Sequence, residues 1–455
     1  MSEKKYTVAL VGAGPASLYA AEVLAKAGHE VVILNRDIKP GGLAEFGIYP
    51  TKYKMKEGLR KYFARILARD NVHYFGNVRV GLEGDIALAE LRAMGVDAVV
   101  VAVGAQGTKW LGLAGEDAVG SYHAKDLVYY YNGLPPFSER EFAIGKHVCV
   151  IGLGNVCMDI VHWMVCDRRV ECVTAVARRG PGERAYTDKE FKIVCGAIDV
   201  AQIERELAAI GQNVAEVGQN PQELLAELLK GADDDLEVDS DTRFCMRFLR
   251  SPARVEVSAD GRVSGMTFET TRLVALGEDG RVGLEMTGEF ETIACDTVVF
   301  AVGDSIEPSL GLPVSRERRG EFATVPTPWE QYPDRPRYMV YDPALEQPVW
   351  DTFVVGWARR ASDGLVGKAR ADAVQGCDEI MAYLNGQFEQ KPEGGASSSD
   401  VMATLRDFLK ARNIAIVDFE AVKVLEELEQ REASARGVRE FKFTSRLEML
   451  RLLGS

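Results

Sequence analysis

Three things are scarce in this 455-residue chain, and each scarcity removes a class of protein. Apolar runs are short: residues 98–103 form one of the longest, far below the ~20 residues that cross a bilayer. Positive charge is in deficit. Lys and Arg number 54 against 68 Asp and Glu, a formal net charge of −14, which argues against nucleic acid or an anionic membrane surface as main partner. Closely paired cysteines are missing. The eight cysteines, at 149, 157, 166, 172, 195, 245, 295 and 377, never show the two-residue spacing of a zinc site, an iron–sulfur ligand set or a dithiol redox motif. They read as reduced thiols. The first residues, MSEKKYTVALVGAG, run straight into a strand pattern, without a signal-peptide core or an Arg-rich transit segment, so a cytoplasmic location is expected.

Glycine, by contrast, is abundant at 44 residues, with no collagen-like period. Many of these glycines belong where backbone turns tightly or approaches a ligand. The clearest such places occur twice. Residues 6–34, YTVALVGAGPASLYAAEVLAKAGHEVVIL, read as strand, glycine turn, helix and strand, and DAVVVAVG (97–104) closes the half with another buried strand. Residues 147–165 begin the same pattern again with HVCVIGLGNVCMDIVHWMV, followed by VECVTAVARRG (170–180) and the closing DTVVFAVGD (296–304). Continuous apolar strands alternating with helices are the form of parallel βαβ units. Two of them predict an α/β protein with two Rossmann-like dinucleotide-binding domains. A third strand signal stands at 350–356, and a Pro-rich stretch before it (Pro308 to Pro336) reads as a crossover between domains. FEQKPEGGASSSD (388–400) reads as a linker, followed by helices from Val401 and from about Phe419 to Glu432.

In the first turn Gly12 makes the tight bend, Gly14 admits a pyrophosphate, and the helix opening at Pro15 and Ala16 points its N-terminus at the anion. Ser17 takes the place of the usual third glycine. The next strand ends in Asn35 and not the ribose-binding acid expected there, while adjacent Arg36 leaves an NADP reading of this turn open. The second turn is Gly152-Leu153-Gly154-Asn155-Val156, and its following strand ends in Arg178-Arg179. Two guanidiniums where a 2′-hydroxyl would sit fit a 2′-phosphate, so NADP(H) is expected over NAD here.

With these segments placed, the chain resembles the adrenodoxin-reductase type of ferredoxin–NADP+ reductase along nearly its whole length. The similar segments are GAGPAS (12–17), PGGLAEFGI (40–48), YFGNVRVG (74–81), YNGLP (131–135), IGLGNV (151–156), RRGPGERAYTDKE (178–190), MRFLRSP (246–252), GWARRASDGLVG (356–367) and MLRLLG (449–454). The resemblance implies an FAD-binding domain split between residues 1–108 and 325–455, with a C-terminal helical extension at 401–455. It implies an NADP-binding domain, residues 109–324, inserted in the middle. Carried over, the FAD contacts are Gly12, Gly14, Pro15, Ala16, Asn35, Gly42, Leu43, Val80, Trp357, Gly364, Leu365 and Val366. The NADP contacts are Gly152, Leu153, Gly154, Asn155, Val156, Arg178, Arg179 and Glu190, with Gly364 also at the nicotinamide. Lys52 stands where the family commonly has a histidine near the flavin, so Lys52 and Glu190 are the catalytic candidates. No metal is implied.

The activity this implies is hydride transfer from NADPH to FAD, then single-electron delivery to an iron–sulfur protein such as a ferredoxin. Docking an acidic ferredoxin on an acidic protein needs a local basic face. Residues 52–69 hold Lys52, Lys54, Lys56, Arg60, Lys61, Arg65 and Arg69 against Glu57, and a helix would group them at four-residue spacing. Arg243, Arg247 and Arg250 form a smaller group behind an acidic run. Two other readings stay open. The chain around Lys52 is closer to the small subunit of glutamate synthase and to bifurcating NADPH–ferredoxin enzymes, which points to a flavin subunit of a larger iron–sulfur complex. The last reading is a non-catalytic FAD-binding scaffold.

Overall fold

Strands such as Thr7–Val11 and Ala98–Val101 carry only residues that water excludes, apart from Thr7 at one end, and they are covered on both faces. In the computed structural model they lie at the centre of a six-stranded sheet. Its order is Met339–Asp342, Gln347–Val354, Ala98–Val101, Thr7–Val11, Glu30–Asn35, Val72–Gly76, parallel except for the first strand. The structure describes residues 4–236, 239–277, 281–317, 320–335, 337–360, 366–390 and 398–454. A second sheet is parallel throughout, in the order Ser121–His123, Thr297–Phe300, His147–Ile151, Cys172–Val176, Arg243–Arg247. Both repeats expected from the sequence are therefore present, each as parallel strands with a helix after the first glycine turn: Pro15–Lys26 and Asn155–His162. An element without a forecast is the antiparallel sheet of Arg250–Val257, Val263–Ala275 and Val282–Ile293.

The chain divides into two compact units. One comprises Met1–Lys109, Tyr129–Glu139 and Gly303–Ser455; the other comprises Trp110–Val128 and Arg140–Val302. The division lies at 109/110, one residue from the expected 108/109, but the return lies at 302/303 and not 324/325. The reason is packing. Asp304–Ser305 pairs with Gly107–Thr108, and Ile306, Leu310, Leu312 and Phe322 are buried in the first unit's core. The Pro-rich stretch read as a crossover is thus part of the first unit as far as it is described; Pro336 lies outside the described residues. Tyr129–Glu139 also returns to that unit, where Tyr129 and Leu134 pack on Phe46.

The C-terminal helices Ser398–Ala411, Phe419–Ala435 and Arg446–Leu452 belong to the first unit as well. Leu405 and Leu409 enter one core cluster, while Val417, Val422 and Leu425 enter the other. Polar pinning accompanies the apolar burial. Lys39 pairs with Glu429 at 2.5 Å, Arg60 pairs with Glu45 at 2.5 Å and with Glu440, and Lys442 reaches Glu45 at 2.7 Å. Inside this cluster Lys56 is 1% exposed, its ammonium donating to Asn132 Oδ1 at 2.6 Å. Removing one partner from such a buried set strands another charge, so the cluster acts as a unit.

Burial lowers the Lys56 ammonium to about 7, and Lys442 beside it adds to the effect. The same amine in the unfolded chain titrates near 10.5. Between those values the unfolded state holds the extra proton, so this group makes stability rise with pH. Thermal unfolding between pH 7 and pH 9 should show a steeper rise in Tm for the native chain than for Lys56→Met. Parallel curves would mean that Lys56 is not the titrating group.

Candidate functional site

The glycine turn after Thr7–Val11 is shaped by the strand beside it. Gly12 sits at φ +101°, donates its N–H to Leu34 O at 2.7 Å, and any Cβ on it would meet Ala102 O at 2.7 Å. Both the conformation and the space demand glycine there. Gly14 is different. Its φ of −80° suits any residue, and a Cβ on it would meet nothing within 4 Å. The fold alone thus gives no reason for glycine at 14. The open volume beside it is what a side chain would take. Gly14 caps the helix Pro15–Lys26 with no side-chain hydrogen bond, leaving the first N–H groups of that helix facing outward.

That volume belongs to a cleft at the carboxyl ends of the parallel strands. Such an end is the usual binding place in open α/β sheets. Of the residues expected at the first site, Gly12, Gly14, Pro15, Ala16, Asn35, Gly42, Leu43, Val80, Trp357 and Val366 all line it. Gly364 and Leu365 lie outside the described residues. The loop at Gly42 closes onto the turn so tightly that a Cβ there would come within 2.9 Å of Gly14 Cα. Trp357 follows Gly356, whose N–H is held by Asp372 at 2.6 Å, and its own indole N–H is buried without a partner among the described residues. A buried donor left open in a cleft wall awaits an acceptor.

The structure gives Asn35 a second task. Its amide nitrogen donates to Asp37 O, Lys39 O and Tyr74 Oη, which pins the loop after the strand and leaves only the amide oxygen for the cleft. Arg36 is engaged with Asp37 at 3.1 Å and Gln106 at 3.3 Å. Arg79, Gln106, Glu307, Ser309 and Leu310 also line the cleft, none of them foreseen. Glu307, Ser309 and Leu310 come from the segment wrongly assigned to the other domain, so no local motif marked them. Lys52 ends the short turn Pro50–Lys52, half-buried, and is not among the residues lining the cleft. None of the eight cysteines lines it, and all are free.

The second glycine turn repeats the first in detail. Gly152 sits at φ +119°, donates to Val176 O at 2.9 Å, and a Cβ on it would meet Ala301 O at 2.4 Å. Gly154, like Gly14, has ordinary backbone angles and open space at its Cβ. Ala185 N donates to Leu153 O at 3.2 Å, and Asn155 Oδ1 accepts from Thr187 N at 2.8 Å. These bonds bring the short helix Asp188–Phe191, with half-buried Glu190, beside the turn. Val156 stays 48% exposed at the helix start. Arg178 and Arg179 are both exposed just past Cys172–Val176, and neither has an ion-pair partner among the described residues. Unneutralised guanidiniums beside an uncapped helix N-terminus suit an anion.

The basic segments fare differently from expectation. Residues 53–67 do form a helix, Tyr53–Leu67, but Lys56 and Arg60 point inward to the cluster around Glu45. They were grouped correctly by spacing, yet that stripe is the face the acids of the loop and the C-terminal segment cover. Arg247 and Arg250 are both held between Glu206 and Glu291, so that group is neutralised, and Arg243 pairs with Asp199 at 3.4 Å.

Among the described residues no three His, Cys, Asp or Glu side chains are arranged to hold a metal, and no helix is long and apolar enough to cross a membrane. Residues 6–192 match the pyridine nucleotide-disulphide oxidoreductase family. The chain is 28% identical to NADPH-ferredoxin reductase FprA of Mycobacterium tuberculosis, over 99% of each chain. It is 27% identical to the mitochondrial NADPH:adrenodoxin oxidoreductase of Bos taurus, over 99% of this chain and 93% of that one. The solved structure of Mycobacterium tuberculosis FprA in complex with NADPH superposes with a TM-score of 0.80 at 27% identity, covering 99% of this chain and 100% of the other.

The two glycines of the first turn separate by experiment. In urea unfolding of ligand-free protein, Gly12→Ala is expected to lose about 1–3 kcal/mol or more, through strain and the carbonyl clash. Gly14→Ala should lose less than about 1 kcal/mol, the scale of a helix-cap change. Equal losses would mean that Gly14, too, is kept for the fold.

Proposed function

We infer that this chain, which matches the adrenodoxin-reductase type of ferredoxin–NADP+ reductase over its whole length, carries out the activity for which those relatives are named. It is an FAD-dependent NADPH oxidoreductase that passes electrons to a one-electron iron–sulfur acceptor. The observation that carries this reading is the cleft at the first glycine turn, kept open at Gly14 and provided with a buried Trp357 N–H that has no partner among the described residues, in a chain that repeats the turn elsewhere.

The residues present fit FAD in that cleft. The uncapped start of Pro15–Lys26 would hold the pyrophosphate through backbone N–H groups, and Gly14 leaves it room. The Asn35 amide oxygen is free to accept from a ribose hydroxyl, since its nitrogen is committed to the loop. Leu43, Val80 and Val366 supply apolar walls, and the Trp357 N–H supplies one donor that water would otherwise have to satisfy. When bound, the flavin supplies the conversion between two-electron hydride chemistry and single-electron transfer. The second turn fits NADP(H) in the same terms. Gly152 to Val156 offer the helix start, while Arg178 and Arg179 offer two charge forks to a 2′-phosphate. Glu190, tethered beside that turn, is proposed as a positioning group for the nicotinamide end. Lys52 is retained only as a residue near the flavin loop, because it does not line the cleft. Of the two basic segments, only the helix Tyr53–Leu67 keeps unneutralised charge to offer the acceptor.

Anaerobic titration tests the whole reading. NADPH should bleach the bound flavin, and the reduced protein should then reduce a ferredoxin; a flavin that stays oxidised would overturn it. Arg178→Ala with Arg179→Ala should weaken NADPH binding tenfold or more, by roughly the 1.4 kcal/mol or more that charged hydrogen bonds carry, and leave NADH binding nearly unchanged. Loss of both nucleotides alike would reject the 2′-phosphate role. Gly14→Ala should purify with a lower flavin-to-protein absorbance ratio.

A further inference from the structure

The outward face of the helix Tyr53–Leu67 holds positive charge in excess of its carboxylates. At about 100° per residue, Lys54, Lys61 and Arg65 fall in one narrow sector, and all three are exposed. Gly58 lies in the same sector with open space at its Cβ, so the strip is smooth. Glu57 flanks it, paired with Lys61 at 2.6 Å. The charge continues onto two neighbouring helices. The Arg65 guanidinium lies over the Tyr62 ring at 5.4 Å, Tyr62 and Tyr19 have centroids 5.6 Å apart, and Arg370 lies over Tyr19 at 5.2 Å. Tyr62 donates to Glu22 at 2.6 Å, and Glu22 also pairs with Lys26 at 2.7 Å. Five cations (Lys26, Lys54, Lys61, Arg65, Arg370) thus face two carboxylates, Glu22 and Glu57.

The patch adjoins the cleft. Arg370 directly follows Ala369, which lines the cleft together with Val366 from the first turn of the same helix, Val366–Leu384. In a chain of net charge −14, a local surplus beside a redox cleft has a consequence. It draws an anionic partner to that one face and repels it elsewhere. Tyr62, half-buried beside exposed Arg65 and resting on the buried Tyr19, adds an aromatic side chain of the kind that protein interfaces favour.

We infer that this face, centred on Arg65 and Arg370, is where an acidic iron–sulfur protein docks to receive electrons. The inference rests on the activity proposed above. One NADPH is oxidised to NADP+ with release of one proton, and its two electrons leave one at a time, so two oxidised acceptors dock in succession and each departs reduced by one electron. Fast exchange at such a face calls for exposed charge more than a large buried area.

The test compares holoenzyme variants with an acidic [2Fe–2S] ferredoxin as probe. Arg65→Glu with Arg370→Glu should raise the KM for ferredoxin about tenfold or more at low ionic strength. NADPH-driven reduction of ferricyanide should be unchanged. Lys61→Glu with Arg65→Glu, which leaves the tyrosine–Arg370 contact alone, should act in the same direction. Added salt should raise the native KM and shrink the difference. An unchanged KM in both double variants, or a larger effect from Arg243→Glu in the other unit, would overturn the docking face. If NADPH bleaches the native flavin and the KM does not move, only the docking face fails; if the flavin is never bleached, the activity itself fails.

Discussion

Much of this structure depends on one close approach: a glycine turn pressed against the carbonyl at the end of the next parallel strand. Gly12 against Ala102 and Gly152 against Ala301 are the same contact in two sheets. In each case the turn's N–H is satisfied by the end of the neighbouring strand, Leu34 or Val176. The contact sets the helix start over the carboxyl ends of the strands, where unsatisfied N–H groups point into open volume. A larger residue would push the turn away from the sheet and misdirect those groups. The second glycine of each turn, 14 or 154, keeps the space in front of them free. Conformation requires the first glycine, and the ligand's volume requires the second.

A second constraint governs the loop opposite. Gly42 packs on Gly14, and the short helix Leu43–Phe46 that follows carries Glu45, 4% exposed, into a ring of cations. Arg60, Lys442 and Lys39 hold its carboxyl far below the usual carboxylate range against the opposing effect of burial. Such a group contributes stability above its unfolded pKa, which is lost as pH falls. Because Lys442 and Glu440 come from the end of the chain, the C-terminal segment is fastened to the same loop that forms one wall of the cleft. The helix Tyr53–Leu67 mediates this fastening with its inner face and leaves its outer cations exposed.

Legibility in the sequence followed the range of the forces involved. The βαβ repeats were readable because unbroken apolar strands and glycine turns are local patterns, and the turn residues Gly12 to Ala16 and Gly152 to Val156 came with them. Asn35 lines the cleft, but the sequence gives no sign that its amide nitrogen is committed to Asp37 and Lys39, which leaves only the oxygen for a ligand. The return point at 302/303 is hidden in the sequence because a proline-rich stretch looks like a linker, whereas Ile306, Leu310 and Leu312 are buried in one cluster with Val11, Val99 and Val101. The antiparallel sheet that begins at Arg250 has no clear signature in the sequence. Its long strands alternate too irregularly, with exposed Met286 and Phe290, to announce one buried face.

By itself the sequence determined that there are two dinucleotide-type turns, with a pair of arginines after the second and an overall excess of acid. Those properties lie in residue type and spacing, and folding does not alter them. Only the tertiary structure decided which charges remain available. Lys56, Arg60, Arg247 and Arg250 look like Lys54, Lys61 and Arg65 in a linear reading. The first four meet carboxylates brought from Glu45, Glu440, Glu206 and Glu291, except that Lys56 is buried against Asn132. Electrostatic neutralisation depends on distance in space, and chain separation carries no information about it.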